Sequence, residues 1–223
     1  MIQRLAILWV LLVGPVFAAE FTQSDREWWA FRPVRQATVP AEGGGWAVNA
    51  IDHFIARKLI DRELSPAPAA DRRTVIRRVC LDLTGLPPAP GQIAAFLDDD
   101  SPDAYGKLVD RLLDSPRYGE RQATLWLDLV RYADSDGYKS DHYRPEAWRY
   151  RDYVIRSFNT DKPYDQFVRE QLAGDEIDPG NRDALIATMF LRHWIYEYNQ
   201  RDVETQWRDI LADVTNVTGD VLL

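Results

Sequence analysis

The sequence predicts an all-α protein, a multi-helix orthogonal bundle behind an extended, aromatic-rich N-terminal arm. Apolar residues recur at helical spacing in one segment after another; Tyr105, Leu108, Val109, Leu112 and Leu113, at i, i+3, i+4, i+7 and i+8, are the clearest case. Glycine and proline fall between the periodic segments as punctuation. No stretch alternates apolar and polar residues over a useful strand length, and no internal repeat or low-complexity tract interrupts the pattern.

The elements follow in order. Residues 19–49 have little periodicity and contain Pro33, Pro40 and Gly43-Gly44-Gly45, so they read as an arm that docks by Trp28, Trp29, Phe31 and Trp46. Residues 50–64 form a helix with Ile51, Phe54, Ile55 and Leu59 on one face, ended by Ser65-Pro66-Ala67-Pro68. A second helix covers residues 71–83 with Asp71 as N-cap. Gly85 stops it, and Pro87, Pro88 and Pro90 forbid its resumption. A short helix occupies residues 91–97. Ser101-Pro102-Asp103 then supplies a serine N-cap, a first-turn proline and an acid at the positive end of the dipole. Ser115-Pro116 closes that helix. Residues 118–133 are helical, with Leu125, Trp126, Leu129 and Val130; residues 134–144 are a polar loop. Pro145 starts a helix to Phe158, Pro163 starts one to Ala173 with Gly174 as its stop, and Asn181 or Asp183 opens another to about His193. Val203, Trp207, Ile210, Leu211, Val214 and Val221 mark a last stripe that reaches Leu223 without a cap, which points to a truncated chain.

Residues 1–18 read as a signal peptide. Arg4 supplies the charge, residues 5–13 an uncharged apolar run, and Val16-Phe17-Ala18 small residues before a cut after Ala18. The run is short against the ~20 residues of a membrane span, and no later segment approaches that length. The expected product is exported, periplasmic or extracellular, with an arm over 19–49 and a helical domain over 50–223. Cleavage removes Arg4 and no acid, taking the formal net charge from −8 to −9. An acidic chain repels phosphate backbones, which argues against nucleic-acid binding. Cys80 is the single cysteine, so no intrachain disulfide forms and the core must hold the fold. Its setting in residues 75–81 is that of a buried small hydrophobe. Asn216-Val217-Thr218 matches a glycosylation sequon but falls on a periodic apolar helix.

The chain has no Gly-rich phosphate loop, no Gly-x-Ser-x-Gly elbow and no Cys-x-x-Cys. His53, His142 and His193 lie far apart, without the helical spacing of a zinc pair. Asp134-Ser135-Asp136-Gly137 has a faint calcium-loop look, but Tyr143 stands where the closing glutamate belongs. Residues 131–151 hold the one concentration of site-like groups: Arg131, Asp134, Asp136, Tyr138, His142, Trp148, Arg149 and Arg151. In the functional reading these line a concave site for a sugar or sulfated glycan. Aromatics stack on the ring, Arg149 or Arg151 pairs an anionic group, and Asp134 or Asp136 accepts from hydroxyls. In the structural reading, Asp134 and Asp136 cap the next element or pair with Arg131 and Arg149, and Trp148 is helix core or rim.

The motifs resemble those of the PSCyt group, a cytochrome-associated domain of unknown function found in many copies in planctomycete bacteria. The resemblance rests on residues 28–33 (WWAFRP), 49–55, 82–88 (DLTGLPP), 115–121 (SPRYGER), 131–138 (RYADSDGY), 148–155 (WRYRDYVI), Asn159, 162–167 (KPYDQF) and 171–175. It implies a large exported protein in which a c-type haem domain often precedes this domain and a second domain of unknown function follows. It also implies that a Cys-x-x-Cys-His haem-attachment segment lies beyond the equivalent of residues 221–223. No cofactor is expected in this chain, and haem c is expected in the longer parent. Neighbouring domains are the expected partners and a polysaccharide a possible one. The leading expectation is a module that is non-catalytic on its own. A carbohydrate-binding or carbohydrate-active domain using residues 131–151 is the first alternative, and a purely structural interaction domain is the second.

Overall fold

A computed structural model describes residues 22–138, 141–196 and 202–222. The expected signal peptide lies outside them. Among the described residues, ten α-helices and two 3-10 turns make up the regular structure, apart from one isolated antiparallel bridge, Ser135–Tyr143. The all-α class holds. The chain divides into two compact units with the boundary between Pro68 and Ala69.

The first unit is less extended than its prolines suggest. Helix α1 (Gln23–Arg26) opens with a capping box between Thr22 and Asp25, and a 3-10 turn covers Trp29–Phe31. Trp28, Trp29 and Phe31 are largely exposed and build no core within this unit. Helix α2 (Ala50–Ile60) stops short of the expected residue 64 and starts at a capping box formed by Asn49 and Asp52. Gly43 is required at its turn: φ is +143°, and a Cβ would sit 2.6 Å from the Ala47 Cβ.

The second unit begins with α3 (Arg72–Thr84). The Asp71 side chain caps it by accepting from the Thr74 amide, and Gly85 ends it in the left-handed conformation. Helix α4 (Pro90–Asp98) and α5 (Ala104–Leu113) pack on it, and Ile76, Cys80, Phe96, Ala104, Leu108 and Leu112 form the first core cluster. Ser101 does not cap α5. Asp103 takes the cap position without a side-chain bond, while Ser101 is held by Asp99 and by the Lys107 ammonium. Burial raises the Cys80 thiol pKa, as expected of an inert core cysteine.

Helix α6 (Pro116–Leu129) is followed by the polar loop, α7 (Trp148–Asn159), α8 (Tyr164–Ile177), α9 (Arg182–Ala187), a 3-10 turn (Thr188–Arg192) and α10 (Val203–Leu222). Pro145 leads into a turn rather than starting α7. Gly174 does not stop α8: the helix kinks at Ala173 (φ −152°) and runs on to Ile177. Trp126, Val130, Tyr150, Tyr153, Val154, Phe167, Phe190 and Val217 are in the second core cluster. Helix α10 is rotated from its expected stripe. Ile210, Asp213 and Val217 face inward, while Val203, Trp207 and Leu211 are exposed.

The kink brings α8 against α9. A Cβ at Gly174 would lie 2.1 Å from the Ala184 carbonyl oxygen, a backbone atom that cannot step aside. Gly174→Ala is therefore expected to cost about 2 kcal/mol, roughly a 4–8 °C drop in a thermal melt. Gly106→Ala, where a Cβ meets nothing within 4 Å on α5, should be neutral or stabilising.

Candidate functional site

The residue 131–151 segment is a clasp. Arg131 turns the chain out of α6 in the left-handed conformation (φ 58°). The loop then folds on itself, with the Asp136 amide donating to the His142 carbonyl (2.8 Å) and the Arg144 amide to the Asp134 carbonyl (2.7 Å). Arg144 is its hub. Its Nε donates to Asp136 (2.7 Å), Nη1 to the carbonyls of Arg192 and His193 (both 3.3 Å), and Nη2 to that of Trp194 (2.7 Å). A planar guanidinium with five donors suits this work, because one side chain satisfies a carboxylate and several orphaned carbonyls at the end of a 3-10 turn.

The expected site residues are dispersed by these bonds. Asp136 pairs with Arg144, and Asp134 accepts from the Tyr132 hydroxyl (2.6 Å); neither is paired with Arg131 or Arg149. Arg131 reaches across to buried Asp213 on α10 (2.5 Å) and lies 5.0 Å over the Trp194 ring. This pair explains the rotation of α10, since it draws a carboxylate into the core face. Arg149 pairs with Glu146 and covers Trp148, and Arg151 pairs with its neighbour Asp152 (2.9 Å). Tyr138 lines a cavity of about 210 Å³ with Trp194, Tyr196 and Asp209. Trp148 and Arg149 line a different one, of about 280 Å³, with Arg156 and Arg182. His142 is exposed and lines neither.

Beneath the clasp lies a buried polar seam. The Tyr150 hydroxyl donates to Gln171 Oε1 (2.5 Å), and Trp126 Nε1 donates to both Tyr150 (3.0 Å) and Gln171 (3.2 Å). Next to it, Glu170 accepts from Tyr153 (2.8 Å), Gln166 (2.7 Å) and Lys162 (2.5 Å). Burial pushes the Glu170 carboxyl upward, but these three donors outweigh it and hold the group below its ordinary value. Burial raises the Tyr150 and Tyr153 hydroxyls, so both remain neutral donors. His193 stands 4.4 Å from the Tyr150 ring and 5.5 Å from that of Tyr132. Burial, then the Arg144 and Arg131 charges, bring its pKa down to about 3, so the ring is neutral. One signal of the seam was in the sequence: Phe167, Glu170, Gln171 and Gly174 fall at i, i+3, i+4 and i+7, which puts two polar residues on a core face.

The seam opens at one end into a cleft of about 240 Å³. Tyr118 comes from the start of α6, Phe158 and Ser157 from the end of α7, Asp161 and Lys162 from the following turn, and Tyr164 and Phe167 from α8; Trp126 forms part of the floor. Asn159 clamps these walls, accepting from the Gly119 amide (2.8 Å) and donating to the Pro116 carbonyl (3.2 Å). Side-chain room for it exists only because residue 119 is glycine, where a Cβ would lie 2.5 Å from Asn159. The turn is a Schellman motif: the Lys162 amide donates to the Ser157 carbonyl (2.9 Å) and the Asp161 amide to that of Phe158 (3.2 Å). Asp161 holds the left-handed position (φ 49°) where glycine is usual.

Compared with known proteins, residues 50–223 match the model of PSCyt2, a protein family of unknown function (DUF1549). The chain belongs to the PSCyt2 family. No curated protein and no solved structure matches it. The PSCyt2 match runs from α2 through α10 and takes in the clasp, the seam and the cleft. Of the stretches that carried the resemblance, residues 115–121 open α6 beside the cleft, and residues 162–167 provide its Lys162, Tyr164 and Phe167.

Proposed function

We propose that this PSCyt2 chain is a non-catalytic binding module of a larger, exported, haem-linked protein. The observation that carries the non-catalytic reading is the spending of charge in the clasp. Arg144 pairs with Asp136, Arg131 with Asp213, and Asp134 is bonded to Tyr132, so among the described residues of the clasp these carboxylates are engaged and do not stand as a free pair of the kind glycoside hydrolysis needs. The exposed row of Val203, Trp207 and Leu211 on α10 supports docking to a neighbouring domain of the same architecture. The residue 1–18 pattern supports export, and covalent haem attachment after export fits such a parent.

Two assays test this reading. Wild type and the Asp134→Ala, Asp136→Ala variant should release equal, background amounts of reducing ends from a polysaccharide panel. Release by wild type that the variant loses would overturn the non-catalytic role. The longer gene product should show haem c absorbance, and a parent without haem and without a downstream Cys-x-x-Cys-His would remove the haem link. Carbohydrate binding is the second reading, favoured by the aromatic cleft between α6, α7 and α8.

A further inference from the structure

We infer that the cleft between α6, α7 and α8 is a binding site for one neutral pyranose ring. The inference rests on the carbohydrate reading above and moves its location away from residues 131–151. Size sets the first limit. At about 240 Å³ the cleft lies below the range of drug-sized pockets, ~300–1,000 Å³, and takes a single ring rather than a chain.

Charge sets the second. An anionic ligand would meet the Asp161 carboxylate, which has no hydrogen-bond or ion-pair partner among the described residues, and Glu170 beneath the Lys162 side chain. A cationic ligand would meet the Lys162 ammonium, whose side chain is only 16% exposed. A wholly apolar ring would strip water from that ammonium and return no hydrogen bond. What remains is a neutral ring with an apolar face and an edge carrying both donors and acceptors.

The lining fits such an edge-and-face molecule. Tyr118, Phe158 and Tyr164 offer aromatic surface to ring C–H groups, the two tyrosines carry hydroxyls as well, and Phe167, stacked on Tyr153 in the core, closes the floor. Asp161 is an acceptor for ring hydroxyls. Lys162 has three N–H donors: one goes to Glu170, the ammonium lies 4.6 Å over the Tyr153 ring, and a donor is left for the ligand. The Glu170 bond and the ring fix the position of the ammonium before any ligand arrives, which lowers the cost of binding. The backbone adds a specific sign. Glycine would be easier at the left-handed position of residue 161, yet a carboxylate stands there at the cleft mouth.

The test is saturation-transfer NMR on the full chain with methyl pyranosides of glucose, galactose, mannose, xylose and fucose. Cyclohexane at its solubility limit, cyclohexylammonium and cyclohexanecarboxylate serve as apolar, cationic and anionic ring controls. At least one glycoside should show transfer that exceeds all three controls. Tyr164→Ala should weaken it about tenfold or more, since an exposed tyrosine can be truncated without unfolding the core. Asp161→Gly should abolish it while leaving the melting temperature equal or higher, because glycine suits that backbone; this separates a lost ligand contact from a lost fold. Transfer to a control alone, no transfer to any glycoside, or undiminished transfer in both variants overturns the site. Release of methanol from a bound glycoside would leave the site standing and overturn the non-catalytic reading, so the two failures are distinguishable.

Discussion

Lowering the pH from neutrality to 4.5 is expected to destabilise the fold by about 2–3 kcal/mol through His193 alone. The unfolded imidazole takes up a proton near its ordinary value of 6.5, whereas the folded one resists until about 3. Folding is therefore fully supported above pH 6.5 and loses support as pH falls from 6.5 toward 3, where the unfolded state binds more protons. Each pH unit in that window is worth about 1.4 kcal/mol. The cause is a ring buried against Tyr150 and Tyr132 with the guanidinium groups of Arg144 and Arg131 nearby, so protonation would place a third cation among them. His193→Phe keeps a ring in the slot and has nothing to protonate. Urea denaturation at a series of pH values should show a flatter profile between 6.5 and 4.5 for the variant. Identical profiles for both proteins would show that His193 is not the acid-sensitive group. Glu170 acts lower: its folded pKa is depressed, so its contribution is complete above its ordinary value of 4.5 and is lost as pH falls below it.

Glu170→Ala is expected to cost about 3–5 kcal/mol, because it leaves Lys162 charged and largely buried without its counter-ion. It also strands the Tyr153 hydroxyl, on a side chain that is almost wholly buried. The combined variant Lys162→Met, Glu170→Met, Tyr153→Phe removes every buried member of that cluster at similar volume and should recover most of the loss. Urea midpoints at unchanged m-value read both effects. A combined variant as unstable as Glu170→Ala would mean that the pair is itself a net source of stability. Recovery of stability would mean that the ionic cluster adds no net stability over an apolar one of similar volume.

Much of the helical order was legible because periodicity and end signals agree there. Asp71 and Gly85 bracket α3 as their chemistry requires, and Leu108 and Leu112 face the core as spaced. The departures have local causes. Ser101 lost its capping role to a side-chain cluster with Asp99 and Lys107. The end of α8 depended on Gly174 meeting α9 rather than on glycine as a stop signal, and the facing of α10 depended on Arg131 reaching Asp213 across 82 positions of sequence. The site was harder still. The carboxylates, guanidiniums and aromatics of residues 131–151 are dense along the chain, yet their hydrogen bonds disperse them in space. The cleft draws Tyr118, Phe158, Asp161, Lys162 and Tyr164 from three helices and a turn, and adjacency between helices leaves no mark in local spacing.

The most direct test of where this protein binds is a titration of the same methyl pyranosides followed by the tryptophan indole N–H signals in a ¹⁵N-labelled sample. Trp126 lines the cleft, and Trp148 belongs to the residue 131–151 segment and lines a different cavity. A saturable shift of the Trp126 indole signal is expected, with an unmoved Trp148 signal and an intact glycoside at the end of the titration. A Trp148 shift with Trp126 unmoved would place the site in residues 131–151 and not in the cleft.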